Sequence, residues 1–250
     1  MKISIITVVY NNEKTLQDAI DSISNQTYKN VEYIVIDGGS TDNTLEILKK
    51  NKSKINYLIS EKDKGLYDAM NKGIRVSTGD VIGILNSDDL YQDENVIQDV
   101  MDQFINNSEL DVLYGDLVYV KKEDTDKIVR NWTSCNYYLN YFDDGIVPPH
   151  PSLFVKKNVY LEIELFDLDF KLAADYELMF RILKKHSYNS KYINRLIVKM
   201  RLGGESNKNL RNIILQNKEI IRAWKKNKYK IPILLIPKRI IKKISQFILK

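Results

Sequence analysis

Side chains able to do chemistry in this 250-residue chain fall in short clusters, several of them directly after β-rich runs. The first run ends in Val8-Val9-Tyr10-Asn11-Asn12 and the second in Asp37-Gly38-Gly39-Ser40-Thr41-Asp42. An aromatic ring stacks on a planar base and a carboxylate accepts a hydrogen bond from an imide N–H, so Val8, Tyr10 and Asp37 suit a nucleobase. That pairing favours uracil over cytosine, which lacks the N–H. Ser40 and Thr41 are equally explained as caps of the next helix. A later run, Val81 to Leu85, passes directly into Asn86-Ser87-Asp88-Asp89. Adjacent carboxylates repel, and a divalent cation, Mn2+ or Mg2+, bridging them to a diphosphate would relieve the repulsion. The plain alternative is a turn that starts the Glu94 helix. Two histidines and the single Cys135 cannot build a Cys/His zinc cluster, so any metal must sit mainly on oxygen.

Regular elements must position these clusters. Ile3–Val9, Val31–Ile36, Ile55–Ile59, Val81–Leu85 and Val112–Tyr114 are expected to be buried strands. Helical stripes separate them: Leu16, Ala19, Ile20 and Ile23; Leu45 and Leu48; Val96, Ile97, Val100, Met101 and Phe104. Such alternation predicts right-handed crossovers and a mainly parallel sheet covered on both faces, with ligands beyond the carboxyl ends of its strands. Beyond Asp116 the pattern becomes irregular. A polar turn near 121–127 and an aromatic stretch from Trp132 to Phe142 are followed by a helix over 175–185, a strand over 192–200 and a basic helix over 208–226. The first turn lacks Gly-x-Gly-x-x-Gly and no Walker loop occurs, which argues against NAD binding and P-loop hydrolysis.

Taken in order, Ile5 to Asn11, Gln26-Thr27-Tyr28, Glu32 to Asp42, Lys64-Gly65, Ala69 through Gly73, Thr78-Gly79-Asp80 and Asn86-Ser87-Asp88-Asp89 resemble a family 2 glycosyltransferase over about the first 115 residues. The resemblance implies an α/β, GT-A-like, Rossmann-type three-layer sandwich. It also implies a nucleotide-sugar donor, a divalent metal and inverting sugar transfer. Tyr10 and Asp37 would hold the base, and Asn71 would lie near ribose or phosphate. The family's Asp-x-Asp element falls on Asn86-Ser87-Asp88. Asn in place of the first Asp leaves Asp88 as principal metal ligand, Asp89 as a second candidate, and Asn86 and Ser87 as nucleotide contacts. That departure also sustains an alternative, a non-catalytic nucleotide- or glycan-binding module on the same fold.

Displacing a nucleoside diphosphate from an anomeric carbon requires that the acceptor hydroxyl lose a proton. Asp175, in Ala173-Ala174-Asp175-Tyr176-Glu177, matches the family's downstream acidic element and is expected to be that base; its competing role is an N-cap. His150, in the stiff Pro148-Pro149-His150-Pro151-Ser152 segment, is expected either at the diphosphate or metal or facing solvent. Arg201-Leu202-Gly203-Gly204-Glu205-Ser206 reads as a mobile phosphate-binding loop or a plain connection. The expected division is 1–115 for the donor, 116–205 for acceptor and catalysis within the same globule, and 206–250 as a basic amphipathic helical extension.

At 44% hydrophobic and 28% charged residues the chain is globular, which excludes disordered and fibrous classes. Its net charge of +5 conceals an asymmetry: from Ile220 onward there are Lys and Arg but no Asp or Glu. Ile240, Ile241, Ile244, Phe247 and Ile248 form one apolar helical face flanked by Lys238, Arg239, Lys242 and Lys243. This pattern suits peripheral contact with an anionic membrane surface better than nucleic acid; packing on the domain itself or on a second subunit is the alternative. The start passes directly into a strand without a leader pattern, so the expected location is the cytoplasm, at the inner face of the membrane. The expected partners are a nucleotide-sugar donor and a glycan or lipid-linked saccharide acceptor.

Overall fold

The structure, a computed structural model, describes residues 1–203 and 210–248. Its strands are β1 (Ile3–Val9), β2 (Val31–Asp37), β3 (Tyr57–Ser60), β4 (Val81–Ile84), β5 (Leu90–Tyr91), β6 (Val112–Val120), β7 (Ile128–Trp132), β8 (Leu153–Lys156) and β9 (Ser190–Arg201). The helices are α1 (Leu16–Ser24), α2 (Thr44–Lys50), α3 (Leu66–Val76), α4 (Val96–Asn106), α5 (Lys157–Glu162), α6 (Ala174–Phe180), α7 (Leu210–Lys226) and α8 (Leu235–Ile248). Described strands join in one nine-stranded sheet, ordered β3-β2-β1-β4-β8-β6-β9-β5, with β7 on β6. β1 to β4, β6 and β9 run one way, and β5, β7 and β8 run the other. The sheet is thus mainly parallel, as the alternation predicts.

Alternating side chains of β1 explain the three layers. Ile6 and Val8 point into a core shared with α3, α6 and α7. Ile3, Ile5 and Val9 point into the opposite core, with α1 and α4. Both faces of the central strands are therefore buried, which is why they read as continuous apolar runs.

Three expectations change. The run at 55–59 is an edge strand with Tyr57 and Leu58 exposed, because only β2 flanks it. The run at 112–114 continues to Val120 through Gly115-Asp116, because Asp116 finds partners inside the fold: the Ser134 N–H at 2.8 Å and the Tyr192 hydroxyl at 3.0 Å. The helix expected over 175–185 is α6 followed by one π-helical stretch, Arg181–Lys185. Lys208, where the basic helix was expected to begin, lies outside the described residues.

Glu32 fixes how β4 enters the sheet. Its carboxylate accepts from Lys2 Nζ (2.8 Å), Ser4 Oγ (2.5 Å), Thr78 N (2.7 Å) and Thr78 Oγ1 (2.6 Å). Gly79, the next residue, lies so close to β1 that a Cβ there would stand 2.6 Å from Ser4 N. Burial alone would raise the Glu32 carboxyl, but the bonds from Lys2, Ser4 and Thr78 outweigh it and hold it at about 2, below the ordinary 4.5. A depressed folded-state value means that the unfolded chain takes up the proton first. The stabilisation is therefore full above about pH 4.5 and lost as pH falls towards about 2. Urea unfolding along this acid range should show Glu32→Gln less stable by about 1–3 kcal/mol at neutral pH, with a flatter acid limb than the parent.

Candidate active-site cavity

A cavity of about 1290 Å3 opens beyond the carboxyl ends of β1 and β4. Val8, Tyr10, Asn86, Ser87, Asp88, His150, Asp175 and Arg201 all line it. Asp37, Asn71 and Asp89 are not among its lining residues.

Two strand-end loops are stitched together beneath the side of the cavity that Tyr10 lines. Asn12 Nδ2 donates to Ser87 Oγ at 2.9 Å, joining the loop after β1 to the loop after β4. Asn11, at a φ of 47°, donates its N–H to Ser40 Oγ at 2.8 Å and accepts from Thr41 N through its side chain at 2.8 Å. Ser40 Oγ in turn donates to Asp37 Oδ1 at 2.5 Å, while Ser60 Oγ and Gly39 N donate to Oδ2 at 2.6 and 3.2 Å. Asp37 is fully buried. The carboxylate expected to meet a base therefore acts one layer down, holding the turn that presents Tyr10. The carboxylate beside Tyr10 at the surface is Asp63: a Cβ on Gly38 would stand 2.5 Å from its Oδ2 and 3.4 Å from the Tyr10 ring. Sequence reasoning missed Asp63, although Asp63-Lys64-Gly65 abuts a recognised motif.

Asn71 is corrected for a similar reason. Its Nδ2 donates to Phe166 O at 2.8 Å and its Oδ1 accepts from Phe166 N at 2.9 Å, so both ends of the amide pin the chain before α6.

At the end of β4, Asp88 faces the cavity and Asp89 turns inward. Asp89 accepts from Asn86 Nδ2 at 3.1 Å and from Arg201 N at 3.3 Å. Burial, then the negative field of Asp88, push the Asp89 carboxyl well up; burial also raises Asp88, against the attraction of Arg201 and Lys122. Asn86 Oδ1 is buried with no hydrogen-bond partner among the described residues. An unsatisfied oxygen next to a crowded acid pair fits a hard cation. No three His, Cys, Asp or Glu side chains among the described residues gather into a metal cage. Asp88, Asp89 and His150 thus do not together enclose a cation, and Asp88 and Asn86 Oδ1 are the groups that would hold one.

Arg201 is not a free phosphate ligand. It is buried at the end of β9, where Nη1 donates to Asp88 O (2.9 Å), Nε to Lys122 O (3.2 Å) and Nη2 to Asp18. Gly204, Glu205 and Ser206, the rest of the expected loop, lie outside the described residues.

Asp175 enters from the other side. The N-cap of α6 is Ala173 and no side chain caps the helix, so the capping role does not hold and the Asp175 carboxylate faces the cavity. Tyr67 OH donates to its Oδ1 at 3.2 Å; burial, then the Asp175 charge, hold that phenol protonated by raising it well above its ordinary value. Glu219 on α7 accepts from Lys171 N (2.9 Å) and Leu172 N (2.8 Å), fixing the loop that leads into α6. His150 is buried, edge-on to Phe166 at 5.5 Å, and does not face solvent. Burial lowers its pKa against the pull of Asp175, so the ring is neutral near neutral pH.

The basic C-terminal segment is part of the site. Arg239, Lys242, Lys243 and Gln246 of α8 line the cavity, facing Arg130 and Trp132 of β7. Packing on the domain itself, the sequence-based alternative to membrane contact, is seen here, with Gln246 of α8 accepting from Arg130 of β7 at 2.8 Å.

The model of the family described as "Glycosyl transferase family 2" matches residues 4–156. An uncharacterised glycosyltransferase of Mycobacterium tuberculosis is 32% identical over 184 residues, covering 72% of this chain and 68% of the relative. A PGL/p-HBAD biosynthesis glycosyltransferase of Mycobacterium bovis is 25% identical over 215 residues, 82% of this chain and 78% of the relative. Among solved structures, residues 1–349 of S. aureus TarS in complex with UDP-GlcNAc have a TM-score of 0.65 at 15% identity, covering 98% of this chain and 73% of that TarS segment. The mannosyltransferase PcManGT of Pyrobaculum calidifontis, in complex with GDP-Man and Mn2+, has a TM-score of 0.67 at 14% identity, covering 100% and 76%. The fold and site thus define a GT-A-type glycosyltransferase. The chain belongs to glycosyltransferase family 2.

Gly145 controls how α8 closes this cavity. At a φ of 75°, its missing Cβ would lie 2.7 Å from the Arg239 backbone nitrogen. Gly145→Ala adds the left-handed penalty to that clash, about 1–3 kcal/mol in all. Hydrogen exchange should show the α8 amides at least about tenfold less protected in the variant.

Proposed function

We propose that the protein is an inverting, metal-dependent glycosyltransferase. It moves a sugar from a nucleotide-sugar, by preference a UDP-sugar, to a glycan or lipid-linked saccharide in surface polysaccharide assembly. The supporting observation is that Tyr10, Asp88 and Asp175 line one cavity. In this reading residues 1–115 hold the donor, and residues 116–205 supply the base and part of the acceptor surface.

Tyr10 lies under the base, and Asp63 replaces Asp37 as acceptor of the imide N–H, which uracil has and cytosine lacks. Asp88, with Asn86 Oδ1 beside it, would hold Mn2+ or Mg2+, which neutralises charge on the departing diphosphate. Asp175 accepts the proton of the attacking hydroxyl while Tyr67 keeps the carboxylate in orientation. Attack from the side opposite the diphosphate inverts the anomeric carbon. Neutral His150 presents a polar edge next to Asp175 without competing for its charge. UDP with Mn2+ should raise the melting temperature by about 5 °C or more in both the parent and Asp175→Asn, while transfer falls by about 1000-fold or more in the variant. Retained turnover would remove Asp175 from the base role, and no shift with either UDP or GDP would refute the donor.

The protein also rests on an anionic membrane surface. Among the described residues no helix is long and apolar enough to cross a bilayer. Ile233 is 97% exposed, Ile241 64% and Ile244 54%, in a segment that carries Lys and Arg but no Asp or Glu. Replacing those three isoleucines by serine should cut co-sedimentation with phosphatidylglycerol vesicles by about tenfold at unchanged melting temperature. Undiminished pelleting would sink this placement.

A further inference from the structure

Arg130 and Arg239 are two buried or half-buried guanidiniums on the same cavity wall, and neither has a carboxylate partner among the described residues. Arg130 is buried; its Nε donates to the neutral Gln246 Oε1 at 2.8 Å, and its guanidinium lies 4.4 Å from the Tyr119 ring and 5.2 Å from Phe247. Arg239 lies 4.9 Å over the Tyr176 ring, and its Nε is buried with no hydrogen-bond partner. Lys243 lines the same wall. Burial lowers its ammonium, and the positive fields of Arg130 and Arg239 lower it further. Guanidiniums withdrawn from water with no carboxylate bonded to them, as Arg130 and Arg239 are, are costly, and flanking aromatic faces offset only part of that cost.

The missing anion is not supplied by the donor end. There Arg201 is committed to Asp88, Lys122 and Asp18, and the proposed cation at Asp88 neutralises the donor diphosphate. The cationic wall lies with Asp175, whose charge reaches Arg239. It therefore faces the molecule that brings the attacking hydroxyl. A guanidinium fork fits phosphate oxygens in two-point contact. The same helix that carries Arg239 and Lys243 exposes Ile241 and Ile244 on its outer side, which gives the anion a lipid context.

We infer that Arg130, Arg239 and Lys243 form a subsite for the phosphate or diphosphate of a lipid-linked acceptor, the group through which its saccharide is joined to the lipid. This deepens the glycosyltransferase reading and rests on it. The acceptor is then anchored by its phosphate along α8 while its sugar hydroxyl reaches Asp175, so a neutral free saccharide is a poor acceptor.

Trp132 provides the readout, because its ring stacks on Tyr119 at 6.4 Å and lies 5.5 Å from the Arg130 guanidinium. Farnesyl diphosphate, farnesol and inorganic pyrophosphate are titrated against tryptophan fluorescence of the full chain in EDTA, without nucleotide. Farnesyl diphosphate should bind, farnesol should not, and pyrophosphate should bind about tenfold more weakly than farnesyl diphosphate. Arg239→Met should weaken farnesyl diphosphate about tenfold or more, with partial recovery in Arg239→Lys, while the UDP–Mn2+ thermal shift persists. If Arg239→Met does not fold, Arg239→Lys, which keeps the charge but loses the fork, carries the comparison on its own. Undiminished farnesyl diphosphate binding in these variants overturns the assignment, as does equal affinity for pyrophosphate, which removes the lipid. Loss of the UDP–Mn2+ shift with farnesyl diphosphate binding intact would also overturn it, by giving the cluster to the donor. A parent that ignores UDP–Mn2+ but binds farnesyl diphosphate through Arg239 would instead remove the donor reading and leave the subsite standing.

Discussion

Arg201 directs one guanidinium to three parts of the chain: the Asp88 carbonyl after β4, the Lys122 carbonyl in the β6–β7 turn, and the Asp18 carboxylate on α1. Its own N–H meets Asp89. Remove that tie and the acid pair loses both its orientation and its nearest positive charge. The segment that presents Asp88 would no longer be held against the far half of the sheet. The rest of the cavity assumes this fixed point, because α8 and β7 close over a floor whose position Arg201 sets.

A common arrangement recurs around it. Glu32, Asp37 and Asp89 are buried acids whose oxygens are taken up by donors of neighbouring segments; Asp37 and Asp89 stand behind the turns that carry Tyr10 and Asp88, while Glu32 ties the opposite end of the sheet. Buried acids of this kind are tolerable because their lone pairs are satisfied, and they fix loops that carry no regular hydrogen-bond ladder of their own. Tyr10, Asp63, Asp88 and Asp175 are then left with surface toward the cavity. Chemistry and scaffold thus use the same residue type in adjacent layers.

That layering sets what could be read in advance. β1, β2 and β4 and the stripes of α1 and α4 were legible because their periodicity is local. The extension of β6 past Gly115-Asp116 was not, since Asp116 draws on Ser134 and on Tyr192 far downstream. Two-residue β5 is too short to show a period. Tyr10 and Asp88 announced themselves as polar residues just past strands. For Asp37, Asn71 and Asp89 the motif gave the residue but not its direction, because Ser60, Phe166 and Arg201 decide where those side chains point. The α8 arginine was legible as part of a charged helical flank; its place in the cavity wall depends on Tyr176 and on the space left by Gly145.

The ends of the sheet carry a different consequence. β3 leaves one row of backbone groups unpaired, with Tyr57 and Leu58 uncovered, while at the opposite border the two-residue β5 pairs with β9 only at Val198 and Lys199. Lys52 and Lys54 precede that open border, and Lys62 and Lys64 follow it. Charged side chains of both signs bracket so short a ribbon, Glu61 and Asp63 among them, and such flanks discourage a like copy from adding its backbone. The open border is thereby kept short and charged, which limits pairing between the sheets of neighbouring copies.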